Sequence, residues 1–137
     1  MLAAAFFIWR DMKTKSKSSV KHKCDTLWQA IIRTKGYCEW CGRSDIMLNA
    51  HHAIGRGVEI LRYDPRNMVC LCVNCHEFAT LHSVKNDGQG FWEWFKSIRP
   101  EDYEYIKSEK YKTIQRRISD YQQIYQELKE EYERRII

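Results

Sequence analysis

Two Cys-x-x-Cys pairs, Cys38 with Cys41 and Cys72 with Cys75, constrain the fold of this chain more than any other feature of its sequence. A two-residue spacer lets both thiolates of a pair face one ion, and zinc takes four such ligands at tetrahedral corners. Adjacent pairs of this kind favour metal binding over disulfides. We therefore expect one structural zinc ion per chain. Because sulfur fills all four positions, no position remains for water, and this zinc should stabilise the fold without taking part in chemistry.

Length, charge and the remaining cysteines set broader limits. The 137 residues suit a single domain, and a formal net charge of +5 permits a polyanionic partner without proving one. Cys24 and Cys70 stand outside the pairs and are interpreted as reduced thiols, with Cys70 buried on a strand. The sequence thus favours a reducing compartment, and we expect a cytoplasmic location.

Residues 1–24 are interpreted as an apolar leader followed by a Lys-rich arm. The apolar run Leu2–Trp9 is too short to span a bilayer, and it lacks the positive residues that precede the apolar region of a signal peptide. We expect no membrane partner. Residues 12–23 are rich in Lys and Ser, which predicts a flexible arm that adds salt-sensitive affinity for phosphates.

The spacing of apolar residues predicts an α+β fold with few strands. A helix is expected from Asp25 to about Lys35, strands at 46–52 and 68–75, a helix directly after the second cysteine pair, and helix from Pro100 to the end. Towards the end of the chain, apolar residues are spaced alternately four and three positions apart, which indicates a helix with one apolar seam. This helix either packs on its own domain, or mediates self-association or binding of a partner protein. Its members are Ile114, Ile118, Tyr121, Tyr125, Leu128 and Tyr132.

Three histidines adjoin the cysteine pairs. His51 and His52 end the first strand, and His76 directly follows the last cysteine. Neighbouring strand residues point to opposite faces, so two histidines serve one site only at a strand end or a distortion. His51 and His76 are candidates to bind one metal ion, which leaves His52 as a base with a pKa near neutrality. The alternative is that each histidine is a structural residue.

The order Cys-x-x-Cys, His-His, Asn, Cys-x-x-Cys-His resembles that of the HNH endonucleases, which have a ββα-metal core. The likeness lies in "YCEWCG", "LNAHHAIGRG" and "LRYDPRNMVCLCVNCHEFAT", and is greatest to the phage type with a four-cysteine zinc knuckle. The segment "HHAIGRGVEILRYDPRN" is also similar to the lambdoid Rap/NinG recombination proteins, which usually lack a histidine after the last cysteine. The resemblance implies a nuclease domain at 25–96, preceded by 1–24 and followed by a helical extension at 97–137.

The resemblance also implies a role for each matching residue. His51 and His76 match metal ligands, and His52 matches the general base. Asn67 matches the residue that orients the base through the loop backbone, or approaches the metal in some members. The implied reaction is hydrolysis of DNA phosphodiesters with one divalent cation, Mg²⁺ or Mn²⁺, to 3′-hydroxyl and 5′-phosphate ends. Branched DNA is an implied substrate, and a phage-encoded chain would act in the host cytoplasm.

Four further side chains are candidates for DNA contact. Arg56 lies in the Gly-rich loop, and Arg62 and Arg66 flank a turn, where arginines either make bidentate phosphate contacts or are solvated loop charges. Relatives often carry another functional residue four positions after the last histidine, where this chain has Thr80. His82, six positions after His76, is the remaining candidate there. The aromatic cluster at 91–95 is interpreted as core.

Two classes of function remain open. The first is an HNH endonuclease, and the second is a catalytically silent zinc module that binds DNA, recombination intermediates or a protein. The complete set of His51, His52, Asn67 and His76 favours the nuclease, because a binding module has no need of it.

Overall fold

The fold is that of a computed structural model, which describes residues 16–78, 84 and 86–137. Four α-helices and two strands are found in this part of the chain, together with 3-10 turns at Glu59–Leu61 and Pro65–Asn67 and a π-helical turn at Asn74–Phe78. In chain order, the main elements are α1 (Lys17–Arg33), β1 (Leu48–His52), β2 (Met68–Cys72), α2 (Gly88–Ile98), α3 (Pro100–Glu109) and α4 (Ile118–Ile136).

The two strands form one antiparallel sheet, which confirms the predicted strand pair. Leu48 pairs with Cys72 and His52 with Met68, so His51 and His52 lie at the end of β1 where β2 begins. The π-helical turn follows β2 almost directly and carries His76. A strand pair followed by a helical turn therefore places the His51 ring of β1 beside that of His76, the residue after the last cysteine.

The chain divides into two compact units. One spans Ile32–Ile114, and the described part of the other comprises residues 16–31 and 115–137. This division differs from the predicted domains, because residues 97–114 belong with the cysteine pairs. The reason is that Ile106 of α3 is 1 % exposed and lies in the same core cluster as Leu71 and Phe91.

The core of the Ile32–Ile114 unit is formed by the sheet and the aromatic face of α2. Phe91 and Phe95 are buried, while Trp92 and Trp94 pack against them with part of their surface exposed. The prediction that the aromatic cluster belongs to the core is confirmed. Pro100 begins α3, as predicted for a residue whose fixed φ suits the first helical turn.

In the other unit, α1 begins at Lys17, eight residues before the cap predicted at Asp25. The prediction of a flexible arm is therefore wrong for residues 17–23, since Val20 and Cys24 are fully buried on this helix. The thiol of Cys24 donates a hydrogen bond to the Tyr121 carbonyl on α4 at 3.3 Å. The rest of the arm and the leader lie outside the described residues.

The helix predicted from Pro100 to the end is interrupted at residues 110–117. A new helix starts at Ile118, where the Asp120 carboxylate accepts a hydrogen bond from the Arg117 backbone. Ile114 is exposed and outside any helix, so it is not part of the predicted seam. Two members of the seam, Tyr121 and Leu128, are buried within their own chain.

Among the described residues, no helix combines the length and apolar character needed to cross a membrane.

Candidate functional site

The four predicted cysteine ligands lie together. The Sγ atoms of Cys38, Cys41, Cys72 and Cys75 are all within 4.8 Å of one another. The Cys41 and Cys72 sulfurs are 3.6 Å apart. Tetrahedral zinc with Zn–S bonds of about 2.3 Å would separate its sulfurs by about 3.8 Å. The cluster therefore has the dimensions of a four-thiolate metal site.

Backbone geometry shapes each cysteine pair to present its sulfurs. The Cys41 N–H donates to Cys38 Sγ at 3.5 Å, and the Cys75 N–H donates to Cys72 Sγ at 3.4 Å. Gly42 has a φ of +82°, a conformation that favours glycine, and its N–H closes the first turn on the Cys38 carbonyl. Both turns therefore direct backbone donors at sulfur, which stabilises thiolates.

The thiol pKa values of the cluster are shifted in opposite directions, which a bound cation would resolve in favour of thiolates. Burial tends to raise the pKa of Cys38, yet N–H groups from neighbouring residues outweigh it and the pKa is lowered. The pKa of Cys75 is raised, first by burial and then by the thiols around it. A bound cation removes the repulsion between thiolates, because metal ligation deprotonates a coordinating thiol.

Cys70 has a different environment from the cluster although it lies on the same strand. It is fully buried, as predicted, and burial together with Glu39 raises its pKa to about 11. Its N–H donates to the Glu39 carboxylate at 2.6 Å. Cys70 is therefore a protonated core thiol outside the metal cluster.

His51 and His76 form a second candidate site. Their ring centroids are 5.1 Å apart, and the His51 ring also contacts Phe91 edge-on at 5.1 Å. Burial, followed by the charges of His76 and His52, lowers the pKa of His51 to about 3. Burial also lowers the pKa of His76, against the opposing effect of Glu77. Both rings are thus neutral near pH 7, which is the form that binds metal ions.

One atom of this pair fits a bound cation in particular. The Nε2 atom of His51 is buried and has no hydrogen-bond partner among the described residues. Buried ring nitrogens are normally hydrogen-bonded, because an unsatisfied polar group costs roughly 1–3 kcal/mol. A divalent cation would satisfy this nitrogen, and the ring of His76 lies beside it.

His52 faces a different neighbour from His51. Its Nε2 lies 2.9 Å from the backbone carbonyl oxygen of Arg62. A carbonyl can only accept a hydrogen bond, so Nε2 carries the proton and Nδ1 of the neutral ring is unprotonated. The contact fixes the tautomer that a general base requires. The field of His52 also reaches His51, since it contributes to the lowered pKa there.

Asn67 holds the loop that supplies this carbonyl. Its side chain is fully buried, accepts a hydrogen bond from the Ile54 N–H at 2.7 Å, and donates to the carbonyls of Ile54 and Leu61 at 3.0 Å each. Leu61 directly precedes Arg62. Of the two roles implied for Asn67, the contacts correspond to bonding of the loop backbone.

The three predicted DNA-contacting arginines differ sharply. Arg62 is 8 % exposed and donates a hydrogen bond to the Arg56 carbonyl at 3.1 Å, so its side chain is held within its own loop. Arg66 forms a bidentate pair with Asp64 and lies 3.3 Å from the centre of the Tyr105 ring, which leaves it partly exposed and already paired. Arg56 is exposed, and its side chain has no polar contact with the described residues. His82 and Thr80 lie outside the described residues.

Two residues near the site were not singled out by the sequence. The Asn49 side-chain amide lies 3.3 Å from Nδ1 of His76. Because side chains alternate between the faces of a strand, Asn49 shares a face with His51, and the sequence could have suggested this contact.

Arg99 donates hydrogen bonds to the Met68 carbonyl at 2.7 Å and also to the Pro65 and Arg66 carbonyls. It therefore fixes the start of β2 opposite His52. No local pattern indicates this contact, which joins residues more than thirty positions apart.

Comparisons with family models, with curated proteins and with solved structures found no match for this chain.

Proposed function

We propose that this chain is a metal-dependent DNA endonuclease of the HNH type, with a structural zinc ion at its four clustered cysteines. The proposal rests on the resemblance of its motifs and on the geometry of four residues. His51 and His76 form one pair, while His52 and Asn67 are connected through the intervening loop.

In this proposal, His52 is the general base. Its Nε2–H stays bonded to the Arg62 carbonyl, and its Nδ1 accepts a proton from a water molecule. The water oxygen forms a bond to phosphorus while the bond from phosphorus to the 3′ oxygen breaks. The ends that result are a 5′-phosphate and, after protonation, a 3′-hydroxyl, as the resemblance implies.

His51 and His76 are the proposed ligands of the catalytic ion. A divalent cation bound there would neutralise negative charge that develops on the phosphate and the leaving oxygen. Asn67 is a positioning residue, since its side-chain amide donates hydrogen bonds to the backbone carbonyls of Ile54 and Leu61. These bonds hold the loop that supplies the Arg62 carbonyl to His52. Of the three arginines predicted to contact DNA, Arg56 is the one proposed to bind phosphates, because its side chain is exposed and makes no polar contact with the described residues.

The single observation that carries the proposal is the buried Nε2 of His51, which lies beside the His76 ring and has no hydrogen-bond partner in the part of the chain that the structure describes. A cation bound at this nitrogen would satisfy a buried polar atom that no described group satisfies. The alternative of a silent zinc module needs no such nitrogen.

Cleavage of DNA by the purified chain tests the proposal. End-labelled and plasmid DNA should be cut when Mg²⁺ or Mn²⁺ is added, and the ends should be 3′-hydroxyl and 5′-phosphate. Brief chelation that leaves the zinc content unchanged should stop the reaction, and added Mn²⁺ should restore it. A folded, zinc-loaded chain that binds DNA but never cuts it would instead be the silent module.

A further inference from the structure

A groove of about 240 Å³ lies in the Ile32–Ile114 unit beside the loop that follows β1. It is lined, among the described residues, by Ile54 from the loop, Trp92 from α2, and four residues of α3 and its C-terminal end. These four are Tyr103, Ile106, Lys107 and Lys110. Neither the order of motifs nor the proposed reaction assigns it a role.

The lining combines aromatic walls with cations. The Trp92 and Tyr103 rings lie 6.1 Å apart at 68°, so they form a corner that a flat ring can enter. Lys107 and Lys110 form no ion pair with any described residue, whereas the nearby Lys112 is paired with Glu109 at 2.8 Å. The described lining contains no carboxylate, thiol or imidazole, so it does not suit a metal ion.

The chemistry of this lining matches one nucleotide of an unpaired strand. A base can stack on an aromatic side chain whatever its identity, and lysines bind the phosphates beside it. The groove is smaller than the pockets of about 300–1,000 Å³ that hold drug-sized ligands, which fits one planar ring system. Bases within a duplex are already stacked on both faces and are not available to it.

The groove adjoins the proposed catalytic site. Ile54 lies two residues after His52, which limits the separation of their Cα atoms to about 7 Å. Both backbone polar groups of Ile54 are held by Asn67, so the same clamp fixes the groove wall and the loop near the base.

We propose that this groove binds one unpaired nucleotide of a DNA strand near the cleavage point, with its base against Trp92 and Tyr103 and its phosphate at Lys107 and Lys110. The inference rests on the proposed function for the position of cleavage. It identifies the substrate as DNA with an unpaired nucleotide beside the scissile bond. Fully paired duplex is the poorer ligand.

The test measures binding of an oligonucleotide that contains 2-aminopurine, whose fluorescence falls when it stacks. The full chain is titrated without added divalent ion, so that cleavage does not enter. Lys107→Gln/Lys110→Gln should weaken binding of the single-stranded oligonucleotide about tenfold and lower the log–log salt slope by up to about 1.4 for two phosphates. Lys112→Gln/Lys129→Gln removes equal charge outside the groove and should bind like the wild type. Trp92→Leu should reduce the quenching by stacking, with zinc content as the check of folding.

Three outcomes would overturn the inference. The first is that the two double variants bind the single-stranded oligonucleotide with equal affinity. The second is that the wild type binds paired and unpaired DNA with equal affinity. The third is that free deoxynucleoside monophosphate displaces the oligonucleotide when both are present at the same concentration. If the groove fails while the wild type still cuts DNA, the proposed function stands without it. If the groove binds unpaired DNA and no ion supports cutting, the proposed function fails.

Discussion

The Nε2 atom of His52 lies 2.9 Å from the backbone carbonyl oxygen of Arg62. This contact connects the end of β1 to a loop that returns from ten residues further along the chain. The Arg62 side chain ties the same loop to the Arg56 carbonyl, and Asn67 bonds the carbonyl of the preceding Leu61. The orientation of His52 thus depends on a buried set of backbone contacts outside its own strand.

Asn67→Ala should therefore reduce both stability and cleavage. The change leaves the Ile54 N–H and two carbonyls without their partner, at a cost of roughly 1–3 kcal/mol for each group that stays buried. Asn67→Asp keeps the acceptor for the Ile54 N–H but removes both donors, so this variant should also be less stable and cleave DNA more slowly than the wild type. Urea unfolding and cleavage rates measure the two effects. Unchanged unfolding of Asn67→Ala would show that the loop is held by other contacts.

Loss of either proposed metal ligand should affect ion binding selectively. His51→Ala and His76→Ala should each weaken Mn²⁺ binding at least about tenfold, since even loss of an outer-shell partner typically costs 10–100-fold. The structural zinc should stay bound. Calorimetric titration measures the affinity, with His22→Ala, an exposed histidine on α1, as the control. If His52→Ala abolished ion binding while His51→Ala preserved it, the two assignments would be reversed.

The cysteine cluster should hold one tightly bound zinc per chain. Cys72→Ser should release the ion and unfold the Ile32–Ile114 unit, because metal binding contributes to folding free energy. Cys70→Ala, two residues away on the same strand, should keep the zinc, since Cys70 lies outside the cluster. Elemental analysis measures the metal. Folded wild-type protein without zinc would contradict the structural role.

Deletion of residues 1–15 should weaken DNA binding without changing the zinc content. It removes Arg10, Lys13 and Lys15, and the log–log salt slope should fall by up to about 0.9 for each duplex phosphate that these side chains neutralise. The cut stops there because Val20 and Cys24 of α1 are buried. Binding to two unrelated duplexes over a salt series measures the change. An unchanged slope would make Arg56 the main candidate for phosphate binding.

The sequence predicted the sheet and the cysteine cluster because both depend on short, local patterns. A two-residue spacer fixes each pair of sulfurs, and the apolar runs on either side form the two strands that bring the pairs together. The burial of Phe91 and Phe95 followed from the same reasoning, since closely spaced aromatics on a helix are commonly core residues.

Other features needed tertiary information. One buried stripe of α1 is spaced four, four and three residues apart, as on one face of a helix, and comprises Val20, Cys24, Trp28 and Ile31. The lysines between its first members make this part of the sequence look like a flexible arm. Arg62 and Arg66 have similar surroundings in the sequence, yet one is buried against its own loop and the other pairs with Asp64. Only the path of the loop distinguishes them.

The most direct test of the central claim compares DNA cleavage by the wild type and His52→Ala in Mn²⁺. The wild type should cut, and the variant should cut about 10²–10⁴-fold more slowly, the usual contribution of a general base. Zinc content, Mn²⁺ affinity and DNA affinity should be equal in the two proteins. Equal cleavage rates would contradict the assignment of His52 as the base, and absence of cleavage by the folded, zinc-loaded wild type would contradict the nuclease itself.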